Sequence, residues 1–126
     1  MSDVLDTAIL ERLQRELGGD PQRVATILSV FLEEIGPYRA DLLASAERND
    51  THDTVFGAHR LGSASVLIGA TRLTALCREL ESLHHDALND RGRDLVAQID
   101  RESTAVMSAI SALLTPHALL GKLTQP

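Results

Sequence analysis

The sequence predicts an all-α fold, an antiparallel four-helix bundle with an additional short N-terminal helix, and three observations lead there. Apolar residues recur at three- and four-residue spacings along most of the chain, which is the period of a helix that buries one face. The apolar content is aliphatic, with only two Phe, one Tyr and no Trp among 126 residues, which suits helical packing and not a β-sheet. Glycine, proline or capping residues separate the periodic segments by short connections, so consecutive helices must run antiparallel.

The first helix is expected over residues 3 to 17, with Leu5, Ile9, Leu13 and Leu17 every four positions and Gly18-Gly19 ending it. Asp20-Pro21 opens the second, an N-cap followed by a first-turn proline, and Val24, Leu28, Phe31, Ile35, Tyr38 and Leu42 form its seam. Gly36-Pro37 interrupts that stripe, and the missing amide predicts a kink. The chain turns after Arg48-Asn49-Asp50, with Thr51 as the cap of a third helix whose inward positions are Ala58, Leu61, Ser65 and Ile68. His59 falls about one hundred degrees off that stripe, towards solvent. The fourth helix, Thr71 to His85, buries Leu73, Leu76, Cys77, Leu80 and Leu83, and carries Arg72, Arg78, Glu79 and Glu81 on its polar side. Asn89 to Gly92 reads as a turn, and Leu95, Ile99, Val106, Ile110 and Leu113 continue a last helix that Pro116 stops. One domain is expected over residues 1–115, with 116–126 as a C-terminal tail.

Composition removes several function classes. Twelve Lys and Arg stand against 18 Asp and Glu, a net charge of −6, without a basic stripe or an aromatic platform, so nucleic acid is not an expected partner. No apolar run approaches the roughly 20 residues needed to span a bilayer, and the N-terminus lacks a basic signal flank. The lone Cys77 excludes an intrachain disulfide, fits a reducing compartment, and lies on a helical apolar stripe as a packing residue. A cytoplasmic location and a monomeric state are expected.

The stretch with the most chemistry is Ala58-His59-Arg60-Leu61-Gly62-Ser63-Ala64-Ser65-Val66-Leu67-Ile68-Gly69-Ala70, which sets a histidine among small residues. One helix later the chain reads Leu73-Thr74-Ala75-Leu76-Cys77-Arg78-Glu79-Leu80-Glu81. Together these resemble the two linked motifs of the histidine-containing phosphotransfer (HPt) domain of bacterial two-component phosphorelays, and the family's weaker apolar spacing extends over most of residues 6 to 114. The resemblance implies a helical bundle in which His59 accepts a phosphoryl group from a receiver-domain aspartate and passes it to another receiver. It implies no cofactor or metal in this chain, because Mg²⁺ belongs to the receiver. It also leaves open whether the chain is free-standing or the C-terminal HPt domain of an inner-membrane hybrid sensor kinase, a carrier and not an enzyme acting alone.

The residue types suit that chemistry. A neutral imidazole attacks phosphorus near pH 7, provided its other nitrogen is held as a donor. Glu81 is the expected acceptor: two antiparallel helices that turn near Gly69 to Thr71 bring residues 59 and 81 to one level. In the HPt family, the residue ending the second motif makes that hydrogen bond. Small side chains at Gly62 and Ser63 would keep the surface low for an approaching partner, with Val66 on the same face and Ile9 or Leu13 of the first helix as additional contacts. Gly69 reads as a turn or packing glycine.

One departure from the family is that its usual lysine, three residues after the histidine, is here Gly62. Arg78, level with Gly62 in the antiparallel arrangement, or Arg60, next to the histidine, would then offset the phosphoryl charge. Two other readings stand beside the carrier. One is an HPt-fold docking module that binds a receiver or another partner with little transfer. The other is a metal-dependent helical hydrolase using His84-His85-Asp86 with His59 and Asp100, where the plainer reading of His84 and His85 is interaction with a helix C-terminus.

Overall fold

The computed structural model of the chain describes residues 4–83 and 88–115. Five helices are formed: α1 (Thr7–Glu16), α2 (Pro21–Glu47), α3 (Thr51–Leu67), α4 (Thr71–Glu81) and α5 (Asp90–Leu114). Helices α2 to α5 pack in a ring, each against its sequence neighbour and α5 back against α2, while α1 lies on α2. This is the antiparallel bundle with a short extra helix.

Four of the five helix starts have a side-chain cap that the sequence supplies, and α4, which follows Ala70, has none. Asp6, Asp20, Asp50 and Asn89 place side-chain oxygens on the free amides of Ala8, Gln22, Asp53 and Gly92. Three expected boundaries therefore move. Helix α1 begins at Thr7 instead of residue 3, and Leu5 is buried from the short segment before it. Asp50, not Thr51, caps α3, because its carboxylate reaches the Asp53 amide while its carbonyl accepts from Thr54. The expected turn at Asn89 to Gly92 is a cap and the first turn of α5. Helix α4 ends at Glu81 instead of His85; Ser82 is its C-cap, and His84, His85 and Asp86 lie outside the described residues, as does the tail after Thr115.

Pro37 sits inside α2, which stays helical from Pro21 to Glu47. The ring is exposed, so the Glu33 carbonyl that loses its amide partner lies on the solvent side. The core follows the expected stripes: Leu28, Phe31, Ile35 and Leu42 of α2, Ala58, Leu61 and Ile68 around α3, Leu73, Cys77 and Leu80 of α4, and Leu95, Ile99, Val106 and Ile110 of α5 are all buried. Tyr38, expected in the α2 seam, is only half-buried.

Paired hydroxyls tie α3 to both neighbours. Ser45 and Thr54 lie 3.0 Å apart between α2 and α3, and Ser65 and Thr74 lie 2.7 Å apart between α3 and α4. Each hydroxyl also has a backbone carbonyl within reach, so these buried polar groups are satisfied. Half-exposed ion pairs fix the outer seams, with Arg39 on Asp100 at 2.6 Å between α2 and α5 and Arg72 on Glu102 at 3.6 Å between α4 and α5. Arg91 of α5 pairs with Glu79 of α4. Among the described residues, no helix is long and apolar enough to cross a membrane.

Gly69 ends α3 with a φ of +77°, where a side chain would be strained. A Cβ there would also stand 3.0 Å from the Asp6 carbonyl oxygen, whose residue donates its own amide to the Gly69 carbonyl at 2.8 Å. The glycine thus serves the α3–α4 turn and lets the start of α1 close onto it.

Candidate functional site

The middle of α3 presents two very different sides. Ala58, Leu61 and Ser65 point into the bundle, whereas Phe56, His59, Ser63, Val66 and Leu67 are exposed. On a helix these five lie on one sector, within about 80° of His59. Phe56, Val66 and Leu67 are each more than half exposed, at 56%, 52% and 52%, and flank the histidine on both sides. An apolar patch of that kind around an exposed imidazole is the surface a protein partner would cover.

His59 Nδ1 lies 2.7 Å from Glu81 Oε1. The imidazole is 58% exposed, while the carboxylate is only 22% exposed. A carboxylate can only accept, so Nδ1 carries the hydrogen and Nε2 keeps its lone pair. The antiparallel register of α3 and α4 makes the pair, the same register that sets Ser65 against Thr74 two turns away. The second oxygen, Oε2, is buried with no hydrogen-bond partner among the described residues.

The remaining expected residues divide. Ser63 and Val66 are exposed beside His59, and Ile9 is half-buried. Gly62 is a correction: it is buried against α4, where an added Cβ would meet the Cys77 Cβ at 3.0 Å and Glu81 Oε2 at 3.9 Å. Its small size therefore sets the approach of α3 to α4, because a rotation of about 100° separates it from its exposed neighbour Ser63 and turns it inward. Leu13 is a second correction, since it is only 8% exposed and so is not open to a partner.

Arg60 turns away from His59. Its guanidinium lies 4.5 Å from the Tyr38 ring centre and 5.5 Å from that of Phe56, and Nη2 pairs with Asp41 at 3.3 Å. Successive helix residues diverge by about 100°, which sends His59 to the α4 side and Arg60 to the α2 side. This placement leaves Arg60 engaged on α2 and away from the imidazole. Arg78 is exposed on α4, next to the Cys77 that meets Gly62. Phe56 is the residue that sequence reasoning missed; its position three before His59 on the same helix face was the available signal.

Cys77 lies beneath this surface. Burial pushes its thiol up to about 12, the nearby Glu81 carboxylate adding to the effect and Arg78 opposing it. Of the expected metal ligands, the two among the described residues lie in different seams: Asp100 is held by Arg39 between α2 and α5, while His59 belongs to the α3–α4 seam. Among the described residues, no group of three or more His, Cys, Asp or Glu is placed to hold a metal ion.

Comparison with known proteins places this arrangement. No curated protein sequence matches the chain. Histidine-containing phosphotransfer protein B (HptB) from Pseudomonas aeruginosa PAO1 superposes with a TM-score of 0.77 at 23% identity, over 89% of this chain and 95% of that one. The HPT domain of the Hpt sensor hybrid histidine kinase from Shewanella superposes with a TM-score of 0.74 at 19% identity, over 88% of this chain and 93% of that one. These likenesses bear on the fold. The Hpt domain model matches residues 26–114, from the first turns of α2 to the end of α5, and so the chain belongs to the Hpt domain family, the phosphotransfer intermediates of phosphorelays.

Proposed function

We propose that His59 is the phosphoryl-carrying residue of this chain, taking the group from the phospho-aspartate of one receiver domain and delivering it to the aspartate of another. The single observation that carries this reading is the exposed imidazole held through Nδ1 by Glu81, in the middle of a helix face flanked by exposed apolar residues. In the first step, Nε2 attacks phosphorus in line, the N–P bond forms, and the P–O bond to the receiver carboxylate breaks with the electron pair leaving on that carboxylate. The phosphorylated ring keeps its Nδ1 hydrogen and is cationic, and Glu81 stabilises it by accepting that hydrogen bond. The second step is the reverse, onto a different aspartate.

Mg²⁺ belongs to the receiver in this scheme, and the chain needs no cofactor of its own. It acts as a carrier in the cytoplasm and as a monomer. A second reading, a docking module with little transfer, is favoured by one observation. Among the described residues neither His59 nor Glu81 has an arginine partner, and Gly62 occupies the position of the family's usual lysine.

Transfer of labelled phosphate from a phosphorylated receiver to the wild type and to His59→Gln separates the two. Acid-labile, base-stable label on the wild type alone supports the carrier. Receiver binding without label supports the docking module.

A further inference from the structure

Arg60 has an unusual set of neighbours. Its guanidinium lies over Tyr38 of α2 and Phe56 of α3, its Nη2 reaches Asp41, and its Nε is buried without a hydrogen-bond partner among the described residues. A cation over two rings attracts both, and the planar guanidinium stacks on them in a way an ammonium cannot. Phe56 is four residues before Arg60 on α3, the spacing at which helix side chains touch. Phe56 is nevertheless 56% exposed, the most exposed large apolar residue among the described residues. The ring is thus held from one side and open on the other.

The open side adjoins the reacting nitrogen. Phe56 precedes His59 by three residues, which puts their Cβ atoms about 5–6 Å apart. A protein that brings an aspartate to attack distance of Nε2, about 3–3.5 Å, must lay its own surface over that ring. An interface covers about 800 Å² per partner, far more than the imidazole alone. A fixed aromatic ring near its centre has the properties of a binding hot spot, because little side-chain freedom is lost on contact.

We infer that Phe56 is the aromatic anchor for the receiver domain that docks on His59, and that Arg60 is its positioning residue, holding the ring through Tyr38 and Asp41 and not neutralising the phosphoryl group. The inference rests on the carrier reading above and names the contact that fixes partner choice. The complementary feature on the receiver is an apolar recess beside its phosphorylatable aspartate.

The test uses the phosphorylated receiver that loads the wild-type chain fastest, with rates measured against receiver concentration, and binding of the same unphosphorylated receiver measured alongside. Phe56→Ala raises KM about tenfold and weakens binding to the same extent, with kcat changed less than about twofold. Arg60→Ala raises KM about threefold by freeing the ring, and Arg60→Lys, which keeps the pair with Asp41 and stacks less well, falls between it and the wild type. Phe56→Ala with KM and binding unchanged overturns the inference. So does an Arg60→Ala variant that loses kcat at constant KM, since that places the guanidinium on the transferring group. If no receiver loads the wild type, the carrier reading fails by itself, and binding of the receiver with the highest affinity for the wild type, compared with its binding to Phe56→Ala, still decides whether the ring is an anchor.

Discussion

His59 and Arg60 are adjacent in sequence, yet the two seams that flank α3 take one each. On the α4 side, small residues meet: Gly62 rests against Cys77, and the close approach brings a largely buried carboxylate to the imidazole. On the α2 side, large groups meet: a guanidinium lies between two rings and a carboxylate near solvent. The first seam sets the direction of a lone pair, and the second sets the shape of the surface beside it. A single helix can supply both functions because each residue is rotated by about 100° from the last.

The comparison is broken most completely at Glu81. Glu81→Ala removes a charge-assisted hydrogen bond of about 1.5–3 kcal/mol and slows phosphoryl transfer by about 10- to 100-fold. Glu81→Gln retains an acceptor and loses less. Nitrogen-15 chemical shifts of the imidazole check the cause, because Glu81→Ala allows the hydrogen to move to Nε2 whereas the wild type holds it on Nδ1.

A second break widens the narrow seam. Gly62→Ala forces a methyl to within 3.0 Å of the Cys77 Cβ, and the overpacking lowers stability by about 1–3 kcal/mol, read as a lower urea midpoint at unchanged slope. The equivalent insertion at exposed Ser63, Ser63→Val, changes stability by less than about 0.5 kcal/mol.

Cys77 sharpens the comparison through pH. The folded thiol keeps its proton to about 12, while the unfolded thiol ionises near 9.0. Between those values the unfolded chain has released a proton that the folded chain retains, so stability falls with rising pH by up to about 1.4 kcal/mol per unit. The full stability is present below 9.0. Cys77→Ala removes this component of the alkaline slope, as urea titrations at pH 8 and 10.5 would read, and the native thiol reacts with disulfide reagents only after unfolding.

The smallest effect belongs to the solvent side of the other seam. Asp41→Asn leaves Arg60 over its rings and changes stability by less than about 1 kcal/mol, as expected for an exposed pair, with thermal unfolding as the check.

Much of this molecule was legible because helical period and antiparallel register are local or nearly local properties. The inward positions Ala58, Leu61, Ser65 and Ile68 are all buried, as are Leu73, Leu76, Cys77 and Leu80. The turn at Gly69 to Thr71 is enough to set Glu81 opposite His59, where the two side chains meet at 2.7 Å. Less legible were features decided by which neighbour a residue meets. Gly62 was read as surface because it follows the histidine by one turn, and only the position of Cys77 shows it facing inward. Leu13 was read as a contact residue, but it is buried on α1. Arg60 and Phe56 depend on Tyr38, whose position in α2 carries no sign of a cation above it. The α3 cap moved by one residue because Asp50 and Thr51 are adjacent and either side chain can accept from the first turn.

The hydrogen bond from the Asp6 amide to the Gly69 carbonyl has a consequence for the order of assembly. Its acceptor sits in a left-handed turn that exists only when α3 and α4 have reversed direction against each other. The amide that precedes α1 therefore gains this partner only when that hairpin is complete, while α1 itself rests on α2. Deuterium uptake at the Asp6 amide is accordingly a built-in gauge of the far end of the α3–α4 hairpin: each transient opening of the turn unprotects a residue more than sixty positions earlier in the chain.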